Sequence, residues 1–245
     1  MEIRRLESGD LPGLVACFER CYGKSYVAES FYDAASLSAK VASGQLLPVV
    51  AVDARDGVVG HMALAVRHPS ARTADAGSTV VDPRHRGKRL VEALALALSK
   101  RCLESGFVGF HHYPTTAHPI MQRLALAGGG VETGVMLGFI PASTEYRELA
   151  GARPAGRLAA VVVYQRLAPG PVRELFVPRA RHDTVAALAR AGRLPRRLRV
   201  PSRRPTLAAS SLELRHDARR DLLRVEVSAI GDDLGERLAA ALGAV

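Results

Sequence analysis

Along the first 140 residues, some segments repeat apolar residues every three to four positions, as in a helix, and others are short apolar or alternating runs, as in a strand. The order of these segments predicts an α/β alternation along the chain. Apolar residues recur at helical spacing after Asp10, and Gly23 ends that segment. The further predicted helices span residues 29–42, 87–104 and 119–127, the last one opened by Pro119 and closed by three glycines. The predicted strands span residues 2–6, 46–52, 58–66, 73–81, 107–111 and 131–140.

The remaining sequence predicts one more strand of this sheet and a small α+β addition. A connector over residues 141–157 precedes an apolar run at 158–167, which we predict as a strand that could complete the first sheet. Further elements follow: a strand at 174–177, a helix at 183–191, a hairpin of 207–215 with 222–228, and a helix at 232–242. We therefore predict two domains, 1–167 and 168–245.

Charge separates these two parts. The chain carries a formal net charge of +10, with 16 Lys and Arg against 15 Asp and Glu in residues 1–150, and 18 Arg against nine acids in the rest. The densest run, residues 190–204, contains seven arginines and no acid. Such runs are usually solvated connectors, and a nucleic-acid surface normally adds aromatic residues, which this run lacks. Nucleic acid is therefore an unfavoured partner.

The composition also bears on location and redox chemistry. No apolar run is long enough to span a bilayer, and the first residues lack the apolar core of a signal peptide, so we expect a cytoplasmic protein without a membrane partner. The three cysteines, Cys17, Cys21 and Cys102, form no disulfide framework. Cys17 and Cys21 lie one helical turn apart and are interpreted as buried thiols, with a redox pair as the alternative.

The segment 80–90 carries the clearest chemical signal. It joins a predicted strand to a predicted helix through a Pro turn, one Gly and four cationic side chains: Arg84, Arg86, Lys88 and Arg89. The N-terminus of a helix presents unpaired N–H groups and the positive end of the helix dipole, which together bind phosphate. The basic side chains add charge-assisted donors, so this segment is typical of a pyrophosphate site, with a basic turn capping an ordinary helix as the alternative.

The spacing Arg84-x-x-Gly87 after Val-Val-Asp-Pro resembles the acyl-CoA pyrophosphate loop of the GNAT superfamily of N-acetyltransferases, which reads Arg/Gln-x-x-Gly-x-Gly/Ala. Arg89 stands where that pattern has Gly or Ala. The predicted order of strands and helices over the first 140 residues is also similar to that family. The resemblance implies an α+β fold, an αβα sandwich with a mixed central sheet.

The resemblance also implies a reaction and a cofactor site. Acetyl-CoA would be the co-substrate, the acceptor would be an amine of a small molecule or a protein, and no metal would be needed. Backbone N–H groups of Val80 and Val81, at a bulge in the strand, would bind the thioester carbonyl and the pantetheine arm. Amides from Arg86 to Leu90 would bind the pyrophosphate. A non-catalytic acyl-CoA-binding regulatory protein is the alternative function.

The catalytic candidates are His118, Asp75 and Tyr113. Many members of the family place a carboxylate on the strand before the loop, and Asp75 is the only acid there, with a solvated strand-start residue as its alternative role. By strict alternation Thr79 would share its face. The family's Tyr near the end of the later helix is absent, and His118 or Tyr113 stands closest to take its place. His118 could otherwise be a helix cap.

Three other histidines, His61, His111 and His112, are candidates for a metal or core role. His111 and His112 are adjacent on a predicted strand and point to opposite faces, and no Cys or carboxylate follows at ligand spacing, so a metal site is unfavoured. His61 lies in an apolar strand and is interpreted as a core or groove residue.

Overall fold

Seven strands form one mixed sheet. They are β1 (Glu2–Arg5), β2 (Leu46–Asp53), β3 (Gly57–Ala65), β4 (Ala74–Val81), β5 (Gly109–His112), β6 (Val131–Ile140) and β7 (Leu158–Arg166). Their order across the sheet is β1-β2-β3-β4-β5-β7-β6. The β4–β5 pair is parallel, and the other neighbouring pairs of this sheet are antiparallel. The predicted α+β fold with a mixed sheet is confirmed.

The α-helices that accompany this sheet in the described residues are α1 (Leu11–Tyr22), α2 (Ala34–Ala42), α3 (Leu90–Glu104) and α4 (Ile120–Ala127). The single helix predicted over residues 29–42 is wrong, because a 3₁₀ turn (Glu29–Tyr32) precedes α2. Asp33 between them has extended backbone, and its carboxylate accepts hydrogen bonds from the Ala35 and Ser36 N–H groups, both at 3.1 Å. This cap starts a new helix.

The computed structural model of the chain describes residues 1–144, 156–202, 207, 209–218 and 221–243. The chain divides into two units, one of residues 1–171 with 190–194 and one of residues 172–189 with 195–245. The predicted connector 141–157 lies largely outside the described residues. The domain boundary at Leu167 stays a prediction. None of the helices in the described ranges combines the length and apolar character needed to cross a membrane.

Apolar side chains fill both faces of the seven-stranded sheet. On one face, which we call the α3 side, Leu90, Leu94, Leu98 and Cys102 of α3 pack on strand residues that include Ala74 and Ala76. On the other face, the α1–α2 side, Leu14, Phe18 and Leu37 pack on strand residues that include Val80. The sheet is therefore the middle layer of a sandwich with a helix layer on each face.

Strands β4 and β5 part after a short pairing. Their parallel ladder joins Ala74 to Phe110, Asp75 to His111 and Ala76 to His112. The chain after His112 then follows β7, where Thr115 pairs with Ala160, while β4 continues along β3. The two central strands therefore diverge, and a gap opens beside residues 77–81 of β4, which we call the β4–β5 gap.

A bulge at Ser78 interrupts β4. Its register against β3 shifts there, and Ser78 has a φ of 53°, which is left-handed and rare for a residue other than Gly, Asn or Asp. The bulge reverses the alternation of faces, since Ala76 packs on the α3 side but Val80 packs on the α1–α2 side. Thr79 therefore lies on the face opposite Asp75, and the prediction that they share a face is wrong.

The described residues of the second unit form two small sheets and, with residues 190 and 191, two helices. Strands β8 (Arg173–Phe176) and β9 (Arg196–Arg199) pair in parallel, with α5 (His182–Ala191) between them in sequence. Strands β10 (Ser211–Asp217) and β11 (Leu222–Ala229) form a hairpin, followed by α6 (Leu234–Gly243).

Strand β9 corrects the prediction that residues 190–204 are a solvated connector. Glu174 on the neighbouring strand β8 supplies the acid that the run itself lacks, at 3.8 Å from the Arg197 guanidinium and 3.3 Å from that of Arg199. Arg203 and Arg204 lie outside the described residues.

Candidate functional site

The backbone of β4 presents its N–H groups to two different edges. The Asp82 N–H donates to the Val59 carbonyl on β3 at 2.9 Å. Because successive N–H groups along a strand point to opposite edges, the Val81 N–H faces the β4–β5 gap, and the Val80 N–H faces β3. Of the two backbone donors predicted for the thioester and the pantetheine arm, Val81 is thus the one directed into the gap.

The predicted phosphate loop lies at the end of β4. It begins with a 3₁₀ turn (Pro83–His85), continues through Arg86 in extended backbone, and passes Gly87 and Arg89 with φ angles of 76° and 56°. Helix α3 starts only at Leu90, which is buried on the α3 side, and not at residue 87 as predicted. A Cβ added at Gly87 would meet no atom within 4 Å, so the space beside the turn is open.

A buried carboxylate holds this loop in place. Asp82 is 0% exposed, and its oxygens accept hydrogen bonds from the Arg84 guanidinium at 2.9 and 3.1 Å, the Arg84 N–H at 3.0 Å and the Arg20 guanidinium of α1 at 2.5 Å. These bonds, led by the Arg84 side chain, hold the pKa of Asp82 well below its usual range. A buried carboxylate paired in this way keeps its charge, so the start of the loop is fixed to the sheet and to α1.

Arg84 is therefore occupied within the protein. Besides Asp82, its guanidinium contacts Asp56 at 3.3 Å, and its pKa is raised, chiefly by the bond to Asp82. The sequence predicts that this side chain donates to phosphate. In the structure it is bound to two carboxylates of the protein itself. In this arrangement Arg84 shapes the loop, and the backbone amides that follow it are the groups available to an anion.

The side chains of Lys88 and Arg89, the next basic residues of the loop, differ in how firmly other residues hold them. The buried His85 ring lies between the Asp56 carboxylate, 2.8 Å from its Nε2, and the Lys88 ammonium, 3.3 Å from its Nδ1. Since the ammonium can only donate, Nδ1 accepts, and Nε2 carries the hydrogen that is donated to Asp56. Arg89 has a side chain that is 84% exposed and contacts Glu92 at 3.3 Å. Lys88 is thus tethered by His85, while Arg89 projects from the surface.

Arg89→Gly is expected to raise the free energy of unfolding by about 0.5–1 kcal/mol. The left-handed backbone costs a residue with a side chain roughly 1–2 kcal/mol, whereas added chain freedom in the unfolded state costs glycine about 0.5–1 kcal/mol. The exposed pair with Glu92 contributes little. Urea unfolding measures the change, and Arg86→Gly, at a φ of −65°, is the matched control that should lose stability. Equal destabilisation by both variants would contradict this account.

Asp75 and Tyr113 meet at the point where β4 and β5 part. The Tyr113 hydroxyl donates to Asp75 Oδ1 at 2.7 Å, and the Arg67 guanidinium pairs with Asp75 Oδ2. The Asp75 side chain is 15% exposed and points away from Ala74 and Ala76, towards the α1–α2 side. The structure therefore brings two of the three predicted catalytic residues together beside the gap.

Two neighbours of this pair were not singled out as site residues by the sequence analysis. They are Arg67 and His111, whose Nδ1 lies 4.0 Å from Asp75 Oδ1. Burial lowers the pKa of His111, so its ring is neutral at pH 7. Burial, with the hydrogen bond to Asp75, raises the pKa of Tyr113 to about 12. The parallel register of β4 and β5 places His111 opposite Asp75. That register would have identified His111 as a site residue, but the sequence alone does not give it.

His118 lies two residues before α4 and is half-buried. The helix starts at Ile120 with Pro119 as its N-cap residue, so His118 is one position further from the helix than predicted. Burial lowers the pKa of His118, and its ring is therefore neutral at pH 7. Within the described ranges of the chain, no group of three His, Cys, Asp or Glu side chains is arranged to hold a metal ion.

Comparisons by sequence give no relative, since no protein-family profile and no curated protein matches the chain. Solved structures do match. A GNAT superfamily phosphinothricin acetyltransferase from Sinorhizobium meliloti, in complex with AcCoA, is 23% identical and superposes with a TM-score of 0.53 over 69% of this chain and 89% of its own.

Two further acetyltransferases match to the same degree. The ribosomal-protein-alanine N-acetyltransferase from Brucella melitensis is 17% identical, with a TM-score of 0.52 over 68% of this chain and 100% of its own. A variant of the spermidine N-acetyltransferase from Vibrio cholerae is also 17% identical, with a TM-score of 0.52 over 68% and 93%. At these identities the likeness establishes architecture, and the chain therefore has the fold of the GNAT N-acetyltransferases.

Proposed function

We propose that the protein is an acyl-CoA-dependent N-acyltransferase that uses acetyl-CoA. The observation that carries the proposal is the β4–β5 gap, which has a bulged strand on one side, Asp75 and Tyr113 at its closed end and the loop 84–90 at its open end. Acyl transfer from acyl-CoA to an amine needs a hydrogen-bond donor to the thioester carbonyl, a group that accepts the proton of the amine, and a separate site for the CoA phosphates. The AcCoA bound to the Sinorhizobium meliloti enzyme, which has this fold, supports the choice of cofactor.

The cofactor would bind along β4. The amides at residues 86–90 and the dipole of α3 would hold the pyrophosphate, helped by the exposed Arg89 and by Lys88. The Val81 N–H would donate to the pantetheine arm or the thioester carbonyl, because it faces the gap. A carbonyl that accepts a fixed N–H bond is polarised, and the oxyanion that forms on attack is stabilised without reorganisation.

Asp75 would act on the incoming amine. Its carboxylate attracts the protonated acceptor and takes a proton from it, directly or through a water, so that the neutral amine attacks the carbonyl. The neutral ring of His111, 4.0 Å away, is a second proton acceptor at the same place. Because Asp75 faces the α1–α2 side, we expect the acceptor to approach from the segment between α1 and α2.

Tyr113 suits hydrogen bonding to the departing sulfur better than full proton transfer. Its pKa of about 12 keeps the hydroxyl protonated. A thiol has a pKa of about 8.5, so transfer from Tyr113 to the thiolate is uphill by roughly 3.5 pKa units, or about 5 kcal/mol. The one hydroxyl hydrogen is donated to Asp75 in the free protein, so Tyr113 would have to turn from Asp75 to donate to the thiolate, and solvent would complete the protonation.

The neutral ring of His118 would relay the proton of the amine through water, so His118→Ala is expected to lower kcat about a hundredfold, the usual scale for a lost general acid or base, and to spare CoA affinity. Because burial lowers the pKa of His118, wild-type kcat should fall at a pH below 6.5, and the variant should lose that limb of its profile. Kinetics from pH 5 to 9 test this, with the exposed His216→Ala as control. Full activity in His118→Ala would leave this residue without a catalytic role.

The experiment for the function itself is thiol release from acetyl-CoA with a panel of amines, including a polyamine, an amino acid amide, an aminoglycoside and a peptide with a free N-terminus. Calorimetry with acetyl-CoA runs in parallel. Acetyl-CoA binding with thiol release on one class of amine supports the proposal and identifies the acceptor, and absence of acetyl-CoA binding would refute it.

Binding without transfer would instead favour a non-catalytic acyl-CoA-binding regulatory protein. One observation supports that second candidate, because α4 ends in Leu124-Ala-Leu-Ala127 and glycines, without the tyrosine that the family usually has there.

A further inference from the structure

His61 on β3 is a buried polar residue that contacts the bulge of β4. Its side chain is 0% exposed, and its Nδ1 lies 2.7 Å from the carbonyl oxygen of Ser78. A carbonyl oxygen only accepts, so Nδ1 carries the hydrogen and donates it. Phe18 and Phe31 pack edge-on against the ring, with centroids 5.6 and 5.4 Å away. The imidazole is thus held in one tautomer and one orientation.

Ser78 needs such a contact because its backbone is strained. Left-handed φ angles cost a residue with a side chain roughly 1–2 kcal/mol and persist only where neighbouring groups enforce them. Two side chains do so here. His61 binds the Ser78 carbonyl, and the Tyr26 hydroxyl donates to the Ser78 hydroxyl at 3.1 Å.

A packing role alone does not account for the histidine. Burial lowers its pKa to about 4, so the ring is neutral, and its Nε2 has no hydrogen-bond partner among the described residues. A buried acceptor without a partner costs about 1–3 kcal/mol, which an aliphatic residue of similar size would avoid. The feature that an aliphatic residue cannot supply is the Nδ1–H donor to Ser78.

We propose that His61 is a positioning residue for acyl transfer: it fixes the Ser78 bulge and thereby aims the Val81 N–H into the β4–β5 gap. This inference rests on the proposed function. His61 would act through geometry. The bulge at Ser78 reverses the alternation of faces along β4, and so determines how the residues after it, up to Val81, are oriented in the sheet. A displacement of about 1 Å in a catalytic donor is enough to lower a rate about a hundredfold.

The test compares two substitutions that differ in the donor. His61→Leu fills the site and cannot donate, whereas His61→Asn retains an N–H near the position of Nδ1. We expect His61→Leu to lower kcat about tenfold or more, with CoA affinity within twofold because the phosphate loop is untouched. We expect His61→Asn to recover kcat to within about threefold of wild type.

Val59→Ala is the matched control. Val59 is fully buried on the same strand, so the substitution should lower thermal stability without changing kcat. Equal kcat loss in Val59→Ala and His61→Leu, or no rescue by Asn, would overturn the positioning role and leave His61 as a core residue.

If the His61→Leu protein is too unstable for kinetics, a second measurement tests the proposal. Amide NMR shifts of residues 78–81 should change in His61→Leu and return towards wild type in His61→Asn. If the wild type itself shows no transfer to any amine, the proposed function fails first. If the wild type is active and His61→Leu matches it in rate and amide shifts, the positioning role alone fails.

Discussion

Asp75→Asn is expected to lower kcat for acyl transfer about a hundredfold and to leave CoA affinity unchanged. The amide keeps the shape of the side chain and an oxygen that accepts the bond from Tyr113, but it removes the negative charge and the basic oxygen. The ammonium form of the acceptor then loses both its electrostatic partner and its proton acceptor. Steady-state kinetics with the acceptor identified by the amine panel measures the effect.

Asp183→Asn is the matched control, because Asp183 is an exposed acid at the start of α5 and contacts only His182 among the bonds described. It should retain wild-type kcat. A second variant, Tyr113→Phe, keeps the charge of Asp75 but removes both its 2.7 Å donor and the proposed donor to the thiolate, and we expect about a tenfold loss. If Asp75→Asn were as active as wild type, Asp75 would be a structural partner of Arg67, and His111 would become the leading base.

Gly87→Glu is expected to weaken CoA binding more than tenfold, about 1.4 kcal/mol or more. The open space beside Gly87 adjoins the amides that start α3, so a carboxylate there meets the pyrophosphate with a like charge. The φ of 76° adds strain to any side chain at this position. Calorimetric titration with CoA measures the loss.

Gly44→Glu separates the local charge from the strain. Gly44 has a φ of 71° and the same open surroundings, but it lies in the turn between α2 and β2. Both variants should lose similar stability, and only Gly87→Glu should lose affinity. CoA affinity unchanged in a folded Gly87→Glu protein would rule out the loop as the pyrophosphate site.

The order of strands and helices could be predicted because it depends on local periodicity, which the sequence contains. The family resemblance implied a bulge in this strand, but its position at Ser78 could not be predicted, because the usual signal for a left-handed residue is glycine and here a serine is held in that conformation by His61 and Tyr26. The error about Thr79 follows directly, since strict alternation assumes an unbroken strand. Strand β9 was missed because its acidic partner, Glu174, is more than twenty residues away in sequence.

The candidate site was only partly accessible from sequence. The basic residues and Gly87 mark the loop, but the engagement of Arg84 depends on the burial of Asp82, which composition does not reveal. Asp75 and Tyr113 were each selected for their chemistry, and the parallel register of β4 and β5 explains why they meet. The catalytic and cofactor-binding roles of these residues stay predictions until the variants are measured.

The fixation of the loop by Asp82 has a thermodynamic consequence for ligand capture. Arg20, Arg84 and the backbone of the turn are already bound to this carboxylate in the protein alone. A ligand that arrives at residues 86–90 therefore need not immobilise the start of the segment, and the entropy lost on association is correspondingly small. Affinity at this end of the cofactor is then set mainly by how well the fixed amides match the positions of the phosphates. We expect the loop to change little when the ligand binds, as in other preformed binding sites.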